Sequence, residues 1–137
     1  MKKIWDNYNF SDVLEKSAFD YLTELSEPLI EKTSGLLKME VEAVDSYLDE
    51  DPPRLVALYI LYVVATKLGN YRKKILTVVE YSDNGRFPVD IMNHLGNEKL
   101  TGIESTNFES TLESILSKPI VKNSIENLFK QSKEAEK

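Results

Sequence analysis

The chain has 137 residues, 42% of them apolar and 29% charged, no cysteine and a net charge of −6. That composition fits one folded domain and excludes a disordered chain, a disulfide framework and a thiolate metal site. Met1-Lys2-Lys3-Ile4-Trp5 is followed by Asp6, Asn7, Tyr8 and Asn9 where a secretory leader needs an apolar stretch, and the longest apolar run, Leu55 to Ala65, is about half of the ~20 residues a membrane span needs.

In chain order, Ser11 is placed to cap a first helix, with Asp12 and Glu15 in its first turn and Phe10, Leu14, Ala18, Tyr21, Leu22 and Leu25 at helical spacing. Ser26-Glu27-Pro28 resets the chain, and a second helical region runs from Pro28 to Leu48 with a kink at Gly35. Its later half carries an amphipathic stripe of Leu37, Val41, Val44 and Leu48, which Glu40, Glu42, Asp45 and Asp49 avoid. Asp51-Pro52-Pro53 ends that region. The segment Leu55 to Ala65 is apolar nearly all round and reads as a central helix buried on most sides. Gly69-Asn70 interrupts it, and residues 75–81 fit either a continued helix or a short β segment; helix is preferred because a lone strand has no partner.

Ser82-Asp83-Asn84-Gly85 is a turn, Pro88 to Leu95 a short helix closed by Gly96. Asn107 is placed to cap a helix carrying Phe108, Leu112, Ile115 and Leu116, and Pro119 opens a last helix with Val121, Ile125, Leu128 and Phe129 on one face. The expected architecture is therefore all-α: a multi-helix bundle around a central apolar helix, forming one domain over residues 1–130, with a polar tail at 131–137.

Charge is unevenly placed. Residues 10–51 hold twelve acids against three lysines, a local net of −9, and residues 52–86 have a local net of +4. Such an asymmetry either steers a partner or is consumed where the two stretches face each other inside the fold. Two groups follow as candidate partner-binding residues: Arg72, Lys73 and Lys74, the one basic patch with an aromatic neighbour (Tyr71), and Asp45, Asp49 and Asp51 of the acidic stretch.

Catalytic chemistry finds no foothold. His94 is the single histidine, no phosphate-cradling glycine motif occurs, and a Glu-x-x-His pair fails because Ile91 stands at the required spacing. The expectation is a non-enzyme without metal or cofactor.

Residues 55–98 also resemble the α-helical domain of GINS complex subunits. The resemblance rests on the apolar run Leu55 to Leu68, the basic continuation Tyr71-Arg72-Lys73-Lys74-Ile75-Leu76, then Glu80-Tyr81, Gly85, Phe87-Pro88 and His94-Leu95 with Glu98. It implies a non-catalytic subunit that assembles with related chains and bridges the replicative MCM helicase to its partner, with Arg72, Lys73 and Lys74 as contact residues. Partners are then other protein subunits in a hetero-oligomer, with nucleic-acid contact only indirect, no membrane, and a cytoplasmic or nucleoid-associated location. Two alternatives compete: a helical small subunit of an RNA-guided defence effector, which needs basic surface for nucleic acid, and an acidic inhibitor or immunity protein whose −9 stretch covers a basic site.

Overall fold

A computed structural model describes residues 2–7 and 16–136. Its centre is a five-stranded antiparallel sheet in which strands adjacent in sequence are adjacent in space: β1 (Leu37–Leu48), β2 (Arg54–Ala65), β3 (Tyr71–Tyr81), β4 (Val89–Asn93) and β5 (Glu98–Ile103). A 3-10 segment (Lys2–Asn7) and two short helices, α1 (Ala18–Thr23) and α2 (Ser26–Lys32), precede the sheet; α3 (Ser105–Leu116) and α4 (Pro119–Glu136) follow it.

The all-α bundle is thus overturned. Leu37 to Leu48 is a strand because Leu37, Met39, Val41 and Ala43 alternate with Lys38, Glu40 and Glu42, a period of two. The helical stripe Leu37-Val41-Val44-Leu48 fits the same letters, but the strand sends Leu37 and Val41 to one face and Val44 and Leu48 to the other. The apolar run expected to be a central helix is β2, rich in β-branched and aromatic residues. It is paired along both edges, with β1 from Leu48↔Arg54 to Leu37↔Ala65 and with β3 from Val56↔Tyr81 to Ala65↔Tyr71, and it buries side chains on both faces, Leu61, Val63 and Ala65 on one and Val56 and Val64 on the other.

Gly69 and Asn70, expected to interrupt a helix, both adopt positive φ (66° and 58°) and lie in the loop that joins β2 to β3. Residues 75–81 fall within β3, whose partners β2 and β4 were not visible as strands. The expected helix from Pro88 to Leu95 is β4. The stretch that resembles a GINS helical domain therefore consists of strands, and the helical architecture implied by that resemblance is not the one this chain adopts.

The helical readings at the termini fare better. Ser11 and the first turn it was to cap lie outside the described residues; the helix described there starts at Ala18, capped by Ser17, whose Oγ accepts the Asp20 N–H (3.1 Å) while Asp20 accepts the Ser17 N–H (3.2 Å). α3 begins at Ser105, two residues before the expected cap at Asn107, and buries Phe108, Leu112 and Ile115. α4 opens at Pro119 as expected. It does not fray at 131: it continues to Glu136, and Ser132 is fully buried with its Oγ donating to the Leu128 carbonyl (2.7 Å).

One core lies between the helices and one face of the sheet. Leu37, Leu61, Val63, Ala65, Leu76, Val78, Val89 and Ile91 meet Ala18 and Leu22 of α1, Phe108, Leu112 and Ile115 of α3, and Val121 and Leu128 of α4. Phe108 packs edge-on against both Tyr21 and Phe87, with ring centroids 5.4 and 5.5 Å apart. A bulge at Ile75, between the pairs Leu61↔Leu76 and Tyr62↔Lys74, lets both Ile75 and Leu76 be buried.

A second bulge, on β5, sets Thr101 and Gly102 opposite Asp90. Gly102 takes φ +65° and donates its N–H to Asp90 Oδ1 (3.0 Å), and the Tyr81 hydroxyl donates to Asp90 Oδ2, so the buried carboxylate is satisfied. α2 is tied to the sheet by Ser26 Oγ, which accepts the Met39 N–H of the edge strand (3.0 Å), and by Thr33 Oγ1, which accepts the Leu37 N–H (3.1 Å).

Leu61 stands at the middle of this core, fully buried on the central length of β2. Leu61→Ala should lower unfolding free energy by about 2–5 kcal/mol in urea titration, and far-ultraviolet circular dichroism of the wild type should show a mixed strand and helix spectrum.

Candidate functional site

The strand register decides where the sequence-derived candidates go. Arg72 and Lys74 pair with Val64 and Tyr62, whose side chains point to the face of the sheet away from the helices; Lys73 pairs with Val63 and points to the helical side. The basic patch is split by pleating. Lys73 lines a small cleft with Tyr71 and Ser124, Asn127, Leu128 and Gln131 of α4. Arg72 lies over the Tyr62 ring (4.1 Å) and reaches Glu42 (3.6 Å) and Glu40 (4.0 Å) on β1. The acidic and basic stretches thus meet across β2, and Arg72 is engaged within its own chain.

The acids fall differently. Asp45 sits near the end of β1, and Asp49 and Asp51 lie in the loop that turns β1 into β2. With Glu50 they form an exposed acidic end to the sheet. Two residues missed by sequence reasoning stand among them. Tyr47 and Leu55 are cross-strand partners on this hairpin, and their side chains are 69% and 42% exposed; no other large apolar side chain among the described residues is as exposed as Tyr47. The signal for Tyr47 in the sequence was an aromatic residue inside an acidic run, which a helical reading placed on no particular surface.

The hairpin end is braced rather than loose. Ser82 Oγ donates to the Leu55 carbonyl (2.6 Å), Arg54 pairs with Asp83 (3.2 Å), and the Arg54 guanidinium lies 4.1 Å from the Tyr81 ring centre. Between the hairpin loop and the β3–β4 turn is an open cleft of about 700 Å³ lined by residues 50–55 with Ser82 and Asp83.

A second, smaller cleft of about 360 Å³ opens beside α1, lined by Ser17, Phe19, Ala43, Tyr59, Glu80 and Arg86. Phe19 and Tyr59 form one wall, with ring centroids 5.6 Å apart. Burial pushes the Glu80 carboxyl above its ordinary value, against the opposing influence of the Tyr59 hydroxyl and the Arg86 charge. Glu80 Oε2 is buried without a hydrogen-bond partner. Burial, reinforced by Glu80, pushes Tyr59 up to about 12, so it keeps its proton through the neutral range.

His94 stands beside β3, with Nε2 2.7 Å from Thr77 Oγ1; burial and then Lys74 hold its value below the usual imidazole range, so it is neutral at pH 7. Among the described residues no group of three or more His, Cys, Asp or Glu side chains is placed to hold a metal ion, and no helix is long and apolar enough to cross a membrane. Comparison with protein-family models, curated proteins and solved structures finds no match.

The Glu80 environment has a measurable consequence. Because the folded state raises its pKa, its contribution to stability is fully present below the unfolded value and is lost as pH rises through the folded one. Glu80→Gln should therefore leave stability nearly unchanged near pH 3 and raise the Tm at pH 8, where the wild-type carboxylate is charged and partly buried. Thermal melts of both proteins across that pH range check it.

Proposed function

We propose that this chain is a non-catalytic binding module that presents the acidic hairpin end of its sheet to a basic surface on a protein partner. The observation that carries this reading is Tyr47: an aromatic side chain 69% exposed, paired with exposed Leu55 and carried on the same hairpin as exposed Asp45, Asp49, Glu50 and Asp51. Tyrosine is over-represented among the residues that dominate binding energy, because it buries a large rigid surface at low entropic cost and keeps a polar tip. Like charges gathered at the same hairpin end steer association with a surface of opposite sign and disfavour acidic partners. The bracing contacts to Ser82 and Asp83 hold the hairpin in place before binding, which reduces the ordering cost.

This supports the inhibitor-like alternative more directly than the nucleic-acid one. Arg72 is paired with Glu40 and Glu42, and Lys73 is on the opposite face from Arg72 and Lys74, so no continuous basic track runs along β3.

The test is affinity purification from native extract followed by mass spectrometry, with the wild type beside two variants, Tyr47→Ala and the triple variant Asp45→Asn/Asp49→Asn/Asp51→Asn. One partner should be enriched with the wild type and weakened on the order of thirtyfold by Tyr47→Ala, the loss expected of a central anchor. The triple variant should bind more slowly and with less dependence on salt. A partner retained in full by both variants would refute the assignment to this end of the sheet.

A further inference from the structure

The two edges of the sheet are finished differently. β5 is six residues long and bulged at Thr101 and Gly102, which spoils it as a template for a further strand. β1 is twelve residues long and regular, and its outer edge is closed only in its first half. There the Leu37 and Met39 N–H groups point away from β2 and donate to Thr33 Oγ1 and Ser26 Oγ. The pairing with β2 has no irregularity, so every second residue beyond Met39 has its N–H and C=O turned outward in the same way. For Ala43, Asp45 and Tyr47, all exposed, those outward groups have no hydrogen-bond partner among the described residues.

An open strand edge is a template for another strand, and its side chains decide which one. A second copy of this chain is disfavoured by charge: β1 carries Glu40, Glu42 and Asp45 against Lys38 alone, so self-pairing gathers the acids of both copies. The same side chains favour a basic occupant. A strand added here sets its side chains on one face beside Asp45 and Tyr47, and those on the other face beside Val44. Lysine or arginine suits the first face, pairing with the carboxylate and lying over the ring, as Arg72 lies over Tyr62 on this same sheet. An aliphatic side chain suits exposed Val44. Asp49, Glu50 and Asp51 extend the acidic field past the end of the strand.

We propose that the open half of β1, from Ala43 to Tyr47, takes up an extended segment of a partner protein as a sixth strand, one in which basic side chains alternate with aliphatic ones. The proposal rests on the reading of the hairpin end as the partner site and states how that end is engaged. Backbone hydrogen bonds supply the affinity, and Asp45, Tyr47 and Val44 supply the selectivity.

The peptide acetyl-(Arg-Val)4-amide, titrated into the full chain and followed by amide NMR and hydrogen exchange, tests this. The amides of Ala43, Asp45 and Tyr47 should exchange about tenfold more slowly or better in the complex, while those of Val44 and Ser46, already turned toward β2, change little. A block isomer, four arginines followed by four valines, carries the same charge and should bind about tenfold more weakly or worse. Ala43→Pro removes one outward N–H at a place where an edge strand tolerates proline, and should weaken the alternating peptide by about tenfold. Of two peptides N-methylated at the arginines alone or at the valines alone, one should lose binding and the other keep it, because a strand turns alternate amides to one side; this arm needs no protein variant. The sixth strand is overturned by no saturable binding of the alternating peptide, by equal binding of the block isomer, or by unprotected amides at Ala43, Asp45 and Tyr47. A native partner lost with Tyr47→Ala but held in full by folded Ala43→Pro keeps the hairpin-end reading and rejects the sixth strand, whereas a partner indifferent to Tyr47→Ala and to the acidic triple variant rejects both.

Discussion

Every other feature of the molecule depends on the double pairing of β2. Twelve residues from Arg54 to Ala65 pair along one edge with β1, ten of them, from Val56, pair along the other with β3, and both faces bury side chains, Leu61, Val63 and Ala65 on one and Val56 and Val64 on the other. A segment this apolar cannot stay in water, and as a strand its backbone groups need partners on both sides. The acidic β1 and the basic start of β3 supply them. Once those two strands are in place, Leu61, Val63 and Ala65 define the floor on which the helices pack, while Leu58, Ile60, Tyr62 and Val64 define the opposite face.

That pairing also sorts the charges. Strands one and three of a sheet are about 10 Å apart, within reach of an arginine and a glutamate that lean across the strand between them. Arg72, Glu40 and Glu42 use that distance, with the Tyr62 ring beneath the guanidinium. The basic segment is thereby partly neutralised in place. Among the described residues, the acids beyond the end of β3's basic stretch, Asp45 and residues 49–51, have no such counterpart, so the hairpin end keeps its negative field. Most buried polar groups are handled locally: Asp90 is closed by Tyr81 and Gly102, and His94 by Thr77, whereas among the described residues Glu80 Oε2 and Asn93 Nδ2 are buried without a hydrogen-bond partner. An unsatisfied group of that kind is costly in low dielectric.

The result is a sheet with three distinct surfaces. The helical side is filled by α1, α3 and α4, with α2 sealing part of the β1 edge through Ser26. The far face carries Leu58, Ile60, Tyr62 and Val64 of β2, flanked by Glu40 and Glu42 of β1 and by Arg72 and Lys74 of β3. The hairpin end is acidic and carries Tyr47 and Leu55. No single surface was described by the linear order of residues, because pleating sends neighbours such as Lys73 and Lys74 in opposite directions.

The terminal helices were legible because their cues are local: Pro119 at a first turn, and Phe108, Leu112 and Ile115 at helical spacing, act within a few residues of each other. The turn at residues 82–85 was legible for the same reason. The strands were not. In β1 the apolar set satisfies periods of two and of 3.6 over much of its length, and in β2 an unbroken apolar run has no period at all. A strand is stabilised by partners distant in sequence, so residues 75–81 looked unpartnered as long as residues 37–48 and 54–65 were taken for helix. Of the candidate site residues, the acidic character around Asp45, Asp49 and Asp51 could be read directly, but the exposure of Tyr47 could not.

By itself the amino-acid sequence determined one folded core without disulfides, two closing helices, and an acidic segment followed by a basic one. Only tertiary structure decided that the apolar centre is sheet rather than helix, which charges cancel, and which side chains are left outside. The physical reason is that helix signals are carried by hydrogen bonds four residues apart, whereas strand identity, facing and exposure depend on register with a partner strand that no local window contains.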